Sequence, residues 1–88
     1  MKEIVYSNKA LKELKKLLKR NINKDNLMYV IELIANDKEL PARCNPHKLS
    51  GNYSGLWECH LEPDLLVIYE YVGNELVIIR LGSHADLF

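Results

Sequence analysis

The sequence predicts a small α+β fold with the element order β-α-α-β-β-β. Three observations predict it: a short alternating segment at residues 2–6, two segments with apolar residues at helical spacing, and three β-rich runs separated by turn residues. The 88 residues suffice for one modest core, so we expect a single domain over residues 1–88. The N-terminal strand and a two-helix hairpin should pack on a small antiparallel sheet, because neither helix can bury its apolar face alone.

The composition excludes several classes of protein. A chain that is 48% hydrophobic and 27% charged is neither disordered nor fibrous. The longest apolar run, residues 65–69, is far shorter than the roughly 20 residues that cross a bilayer. Residues 1–6 lack the apolar core of a secretory signal. We therefore expect a cytoplasmic protein without membrane contact, in which Cys44 and Cys59 remain thiols.

The net charge of zero conceals two oppositely charged halves. Residues 1–48 contain eleven Lys/Arg and six Asp/Glu, a net charge of +5, whereas residues 49–88 contain one Arg and six acids, a net charge of −5. Charges are screened over about 8 Å at physiological salt, so a local basic surface can bind phosphate within a neutral protein. The alternative is that the lysines only solvate a helix face.

Both helices are predicted from apolar periodicity and capping residues. The apolar positions are Ala10, Leu11, Leu14, Leu17 and Leu18 in the first helix and Leu27, Val30, Ile31, Ile34 and Ala35 in the second. Ser7 is a suitable N-cap for the first helix, and residues 21–23 interrupt the pattern. Asn23 or Asp25 can cap the second helix, which should end near Asn36.

The second half of the chain is predicted to be a loop followed by three strands. Residues 37–55 are polar and contain two prolines and two glycines, which is typical of a long loop with room for one turn of structure. Such loops often carry functional residues. Strands are expected at residues 56–62, 65–71 and 75–81, with tight antiparallel connections.

Strand alternation predicts which side chains face the helices. Trp57, Cys59 and Leu61 should face them, which directs His60 to the opposite face of the sheet. In the last strand Ile78 shares its parity with Arg80 unless a bulge intervenes. Arg80 is therefore expected to join His60.

Polar groups that could carry chemistry are concentrated in the last 42 residues: His47, His60, Asp64, Arg80 and His84. A lone histidine is usually a surface or hydrogen-bonded side chain, but the predicted topology lets these groups converge on one face. A zinc site is disfavoured although Cys44 and His47 have Cys-x-x-His spacing, because the neighbours Cys59 and His60 point to opposite faces of a strand. Glycine-rich phosphate-loop motifs are also missing from the sequence.

The residue types suit cleavage of RNA through its own 2′-hydroxyl. One group removes the hydroxyl proton, a second protonates the departing 5′-oxygen, and a cation stabilises the charge that develops at phosphorus. Imidazoles titrate near working pH, Arg80 can hold a phosphate with two hydrogen bonds, and Phe88 can stack on a base. We expect this chemistry to need neither a metal nor another cofactor.

The sequence resembles a known family in four motifs: His47-x-Leu49-x-Gly51, Gly55-x-x-Glu58-Cys59-His60-x-Glu62-Pro63-Asp64, Leu66-x-Ile68-Tyr69, and the run from Arg80 to Phe88. In order and spacing they are similar to the YafQ branch of the RelE-like bacterial toxins. Members of that family are ribosome-dependent mRNA interferases of type II toxin–antitoxin systems. The resemblance implies a RelE-like fold and an endoribonuclease.

The resemblance also implies roles for individual residues. His47, His60, Asp64 and His84 would supply the acid–base groups, Arg80 would contact the scissile phosphate, and Phe88 would orient a nucleotide. We assign His84 as the general acid and Asp64 or His60 as the base, with His47 positioning or sharing the proton.

The partners implied by the resemblance are a cognate antitoxin, mRNA and the small ribosomal subunit. The first helix presents basic groups that could contact ribosomal RNA: Lys12, Lys15, Lys16, Lys19 and Arg20.

Two other functions stay open at the level of sequence. The chain departs from the family at Ser50, Trp57 and Leu65, where Lys or Gln, a basic residue and Trp are common. These departures motivate a catalytically weak toxin-fold module that binds an antitoxin and tunes transcription. A third possibility is a basic domain that binds nucleic acid through the first helix without cleaving it.

Overall fold

The computed structural model describes residues 1–87, so the predicted stacking residue Phe88 lies outside the described residues. Its strands and helices follow in the order β1 (Glu3–Tyr6), α1 (Asn8–Lys19), α2 (Lys24–Ala35), β2 (His47–Lys48), β3 (Trp57–Glu62), β4 (Leu65–Val72), β5 (Glu75–Gly82) and α3 (His84–Leu87). Short 3₁₀ turns at Ala42–Cys44 and Gly51–Tyr53 flank β2.

The two long helices begin at side-chain caps. The Ser7 hydroxyl accepts a hydrogen bond from the Ala10 backbone N–H at 3.0 Å, and the Asn23 side chain accepts one from Asn26 at 3.0 Å. These contacts satisfy donors that a helix leaves unpaired at its start. Asn23 rather than Asp25 is therefore the second cap. Within residues 1–87 no helix is long and apolar enough to span a membrane.

The sheet confirms the α+β class and extends the predicted set of strands. Its five strands lie in the order β1-β5-β4-β3-β2, and β3, β4 and β5 form the expected antiparallel ladder. β1 pairs with β5 in parallel, since the α1–α2 hairpin and the later strands provide the long crossover that a parallel pair requires. β2 is a two-residue strand inside the predicted loop, paired antiparallel to β3.

The two faces of the sheet bury different apolar clusters. α1 and α2 cover one face, where Cys59, Leu61 and the partly buried Trp57 join the main core as predicted. The opposite face, called here the open face, carries a smaller cluster of Leu66, Ile68 and Leu87, flanked by partly buried residues of the loop after β2. The polar residues of interest lie around this second cluster.

A β-bulge in β5 changes the predicted parity of that strand. Tyr69 pairs with Ile78, whereas the preceding residue Ile68 pairs with Arg80, so Ile79 is the extra residue. Ile78 therefore lies in the main core, and the prediction that it shares a face with Arg80 is wrong. Arg80 itself pairs with Ile68 and so belongs to the open face.

Candidate active site

A capping box at the end of β5 positions His84. The Ser83 hydroxyl accepts a hydrogen bond from the Asp86 N–H at 3.2 Å, and Asp86 Oδ2 accepts one from the Ser83 N–H at 3.1 Å. This reciprocal pair is the usual signature of a helix start, here with Asp in the place of Glu. It begins the short helix α3 and directs the chain back over the turn between β3 and β4.

Asp64 in that turn binds His84 twice. Its Oδ1 accepts hydrogen bonds from the His84 backbone N–H at 3.2 Å and from Nδ1 of the His84 ring at 3.1 Å. Because an ionised carboxylate can only accept, Nδ1 carries the hydrogen and Nε2 is the ring nitrogen that points away from Asp64. The centroid of the His60 ring lies 5.8 Å from that of His84. Three of the predicted site residues are thus adjacent.

The pair with His84 keeps Asp64 ionised. The hydrogen bond from the His84 ring, followed by the one from its backbone N–H, lowers the pKa of Asp64 below its usual value. A lowered carboxyl pKa stabilises the folded chain at pH values above the usual pKa, and this stabilisation is lost as the pH falls through the folded value. Asp64 is therefore an anion at neutral pH, suited to orient an imidazole rather than to donate a proton.

The replacement His84→Ala tests this electrostatic coupling directly. We expect the pKa of Asp64 to lie below its usual value in the wild-type protein and to rise in His84→Ala. It should stay at or below the usual value, because the backbone N–H of residue 84 remains as a donor. Titration of the carboxyl carbon of Asp64 by NMR measures the change. An identical pKa in the two proteins would contradict the pairing.

His47 and Glu58 form a second pair on the same face. Nδ1 of His47 donates to the Asn45 backbone carbonyl at 2.8 Å, and Nε2 lies 3.3 Å from Oε1 of Glu58. Glu58 is buried, with only 7% of its side chain exposed. Since Nδ1 donates to the Asn45 carbonyl, Nε2 is the ring nitrogen that faces Glu58. The pair thus places an imidazole nitrogen beside a buried carboxylate oxygen.

Arg80 is the most extensively bonded residue of the site. Its Nε and Nη2 donate to the carboxylate of Glu13 on α1 at 2.9–3.2 Å, a bidentate arrangement. Nη1 donates to the Tyr53 hydroxyl at 3.3 Å, and Nη2 also donates to the Asp86 backbone carbonyl at 3.2 Å. The carboxylate of Glu13 raises the pKa of Arg80 further, so the guanidinium remains charged.

Two rows of cross-strand neighbours carry these groups over the open face. The first row, from β2 to β5, contains His47, Glu58, Ile68 and Arg80. The second row, from β3 to β5, contains His60, Leu66 and Gly82, and His84 follows two residues later. Neighbouring strands lie about 4.8 Å apart, which places Arg80 roughly 10 Å from Glu58 across the sheet. The structure thus brings His60, Asp64 and His84 together and places His47 and Arg80 at opposite ends of the adjoining row.

The basic residues of α1 are divided between two surfaces. A groove of about 340 Å³ between α1 and the C-terminal end of β5 is lined by two acids, Glu13 and Asp86, and by a larger number of cations: Lys9, Lys12, Lys16, Arg20 and Arg80. Three of the predicted ribosome contacts, Lys12, Lys16 and Arg20, line this groove, whereas Lys15 and Lys19 do not. Helical periodicity explains the division, because residues three or four positions apart share a face.

The cysteines are placed in the core rather than in the site. Both Cys44 and Cys59 are buried free thiols. Burial, followed by the neighbouring Cys44 thiol, raises the pKa of Cys59 to about 12, so it is protonated at neutral pH. Among residues 1–87, no three His, Cys, Asp or Glu side chains form a group that could hold a metal ion.

The site contains three residues that sequence reasoning did not assign to it: Glu13, Tyr53 and Glu58. Glu58 has a sequence signal, because it shares its strand parity with His60. Glu13 has a weaker one, since it is the only acid between residues 4 and 24 in a lysine-rich segment. Tyr53 lies in an irregular loop and has no periodic signal.

Comparison with known proteins matches the chain over nearly its whole length. Residues 2–88 match the family model described as a bacterial toxin of type II toxin-antitoxin system, YafQ. The mRNA interferase toxin YafQ of Escherichia coli strain K12 is 35% identical over 88 residues, covering 99% of this chain and 96% of that protein.

Solved structures show the same similarity. A metal-bound toxin from Helicobacter pylori is 38% identical, with a TM-score of 0.93 and full coverage of both chains. The E. coli DinJ-YafQ complex contains a chain that is 35% identical, with a TM-score of 0.87 and coverage of 100% and 99%. The chain therefore belongs to the YafQ family of bacterial toxins of type II toxin–antitoxin systems.

Proposed function

We propose that this chain is a toxin that cleaves mRNA during its translation on the ribosome, by acid–base catalysis through the RNA 2′-hydroxyl. It is an endoribonuclease of the mRNA interferase class, as its family and its E. coli relatives of that name indicate. The proposal adds to this class the dependence on the ribosome and the roles of the individual residues. The observation that carries them is the Asp64–His84 pair beside His60 on the open face.

His84 acts as the general acid in this proposal. Asp64 accepts the Nδ1 hydrogen, so Nε2 is the nitrogen available to the substrate. The imidazolium form of His84 can donate its Nε2 proton to the departing 5′-oxygen. The side chain of His84 is 55% exposed, so a nucleic acid can reach it.

His60 is the better candidate for the general base. Asp64 already uses Oδ1 for two hydrogen bonds with His84, whereas the His60 ring lies beside that pair, half-buried at the end of β3. A neutral imidazole at this position can take the 2′-hydroxyl proton. The two rings, 5.8 Å apart, can flank one phosphodiester, with Arg80 as the phosphate-binding cation and Phe88 as the stacking residue.

His47 and Glu58 act next to this acid–base pair. The His47 imidazole and the Glu58 carboxylate lie in the row next to that of His60 on the open face, where they can exchange a proton with the site. In this proposal His47 positions or shares the proton, the role assigned to it from the sequence.

The partners in this proposal are the ribosome and an antitoxin. The cationic groove along α1 offers Lys12, Lys16 and Arg20 to the phosphates of ribosomal RNA, a contact that salt should weaken. An antitoxin partner is supported by the solved complexes of E. coli YafQ with DinJ. The site of action is then the cytoplasm, where translation takes place.

Primer extension on a translated and an untranslated message tests the proposal. The wild-type chain should cleave a message in a bacterial translation extract and leave the same message uncut when its start codon is removed. Removal of the start codon is the matched control, because the rest of the RNA is unchanged. Equal cleavage of both messages would refute ribosome dependence. Absence of cleavage from both would favour the catalytically weak binding module.

A further inference from the structure

We propose that Glu13 is a positioning residue of the active site, which holds the Arg80 guanidinium by one edge so that its other edge meets the substrate phosphate. The inference rests on the proposed function, because it assumes that Arg80 binds the scissile phosphate. In addition to the proposed binding of ribosomal RNA by its basic residues, α1 would thus contribute a residue that positions a catalytic group.

The contacts of Glu13 differ from those expected of an exposed helix residue. Lys9 and Lys16 lie one turn away on α1, within reach of an ordinary helix-surface ion pair. Its carboxylate instead bonds across to β5, where it accepts from Nε and Nη2 of Arg80. The side chains of Glu13 and Arg80 are only 16% and 13% exposed. A pair so enclosed is held in one geometry far more firmly than a surface pair.

Glu13 also bonds to the backbone of β5 next to Arg80. Oε1 of Glu13 also accepts the backbone N–H of Leu81 at 3.1 Å. The extra residue Ile79 shifts β5 at this point, just past Ile78, where the pairing of β5 with β1 ends, and α1 contacts β5. Glu13 thus binds the backbone next to Arg80 as well as its side chain. The carboxylate of Glu13 therefore holds both the guanidinium of Arg80 and the backbone N–H of the next residue, Leu81.

The remaining contacts of Arg80 identify the edge that is available to a phosphate. The edge made by Nε and Nη2 is occupied by a charged, bidentate partner, which is the strong kind of hydrogen bond. The terminal edge made by Nη1 and Nη2 has two neutral partners at 3.3 and 3.2 Å, the Tyr53 hydroxyl and the Asp86 carbonyl. A phosphate competes more readily for these longer contacts than for those of Glu13.

A fixed guanidinium matters more for the transition state than for substrate binding. Charge grows on the phosphate oxygens during the reaction, and a donor that is already oriented stabilises it without reorganisation. Loss of Glu13 would leave Arg80 free to turn towards the groove while removing a negative charge from its neighbourhood. Turnover should therefore fall while substrate affinity is kept or improved.

The replacement Glu13→Gln tests the inference in the translation assay. The glutamine oxygen can still accept the Leu81 N–H, but the amide nitrogen cannot accept from Arg80. Since small misplacements of reacting groups can cost about 100-fold in rate, we expect kcat to fall about 10- to 100-fold, with KM unchanged or lower. Glu32→Gln, the same change at an exposed position on α2, is the matched control and should behave as wild type.

A double-mutant cycle with Arg80→Lys separates positioning from a general effect. Glu13→Gln should lower kcat in the wild-type background and have little further effect in the Arg80→Lys background, because a lysine cannot form the bidentate contact. Equal losses in both backgrounds would overturn the inference. So would a rise in KM at constant kcat.

A second measurement needs no variant. The Nε–H of Arg80 should give a resolved NMR signal that exchanges slowly with water in the wild-type protein, because Glu13 covers it. Exchange as fast as that of an exposed arginine would overturn the inference. The cleavage of translated message by the wild type tests the proposed function separately, so active wild type with equally active Glu13→Gln would refute only the role of Glu13.

Discussion

Replacing His84 with alanine is expected to lower the rate of mRNA cleavage by about 100-fold or more, because the general acid is lost. The fold should survive. The side chain of His84 is exposed and hydrogen-bonds to Asp64, which keeps the backbone N–H of residue 84 as a donor in the variant. Primer extension on translated mRNA, with the variant and wild type at equal concentration, measures the loss.

His84→Gln distinguishes proton transfer from positioning. The glutamine amide can still donate a hydrogen bond to Asp64, but it cannot transfer a proton at neutral pH. We expect His84→Gln to be as defective as His84→Ala. Cleavage by His84→Gln at the wild-type rate would show that His84 only holds Asp64, and the acid would then have to be sought among His60 and His47.

Replacing Ile68 with alanine is expected to destabilise the chain by about 2–5 kcal/mol, which is the usual cost of a cavity left by a buried aliphatic side chain. Ile68 is fully buried in the open-face cluster, and it lies between Glu58 and Arg80 in the first cross-strand row. Its side chain therefore belongs to the packed cluster around which the polar residues of the site lie. Urea denaturation followed by circular dichroism measures the free energy of unfolding.

Leu18→Ala is the matched control for this prediction. Leu18 on α1 is 42% exposed, and alanine is at least as good a helix former as leucine. Its replacement should change the free energy of unfolding by less than about 0.5 kcal/mol, as surface changes usually do. If Ile68→Ala cost no more than Leu18→Ala, the open-face cluster would not be a packed core.

Local sequence signals were sufficient for the two long helices and for strands β1, β3, β4 and β5, but not for the short elements β2 and α3. Ser7 and Asn23 cap the helices because their short side chains reach the first unpaired N–H groups, and such contacts span only three residues. Cys59 and Leu61 enter the main core because strand alternation directs them to one face and the apolar residues of that strand share their parity. The residue types of the candidate site and their order along the chain were also readable, which is why the family resemblance was visible.

The contacts between residues far apart in the sequence could not be predicted from such local signals. Glu13 and Arg80 are separated by 67 residues, and Asp64 and His84 by 20. The bulge at Ile79 moved Ile78 to the helix face without a recognisable signal in the sequence. The parallel pairing of β1 with β5 likewise depends on where the helical hairpin packs.

The sequence by itself determined the two long helices, the strands β3, β4 and β5 and the acid–base and phosphate-binding residue types, because helix periodicity, capping and strand alternation act within a few residues. Only the tertiary structure decided that Asp64 binds His84, that Glu58 binds His47, and that Arg80 is held by Glu13. Those partners are chosen by sheet order, strand register and one bulge, which result from the packing of the whole chain and not from any local pattern.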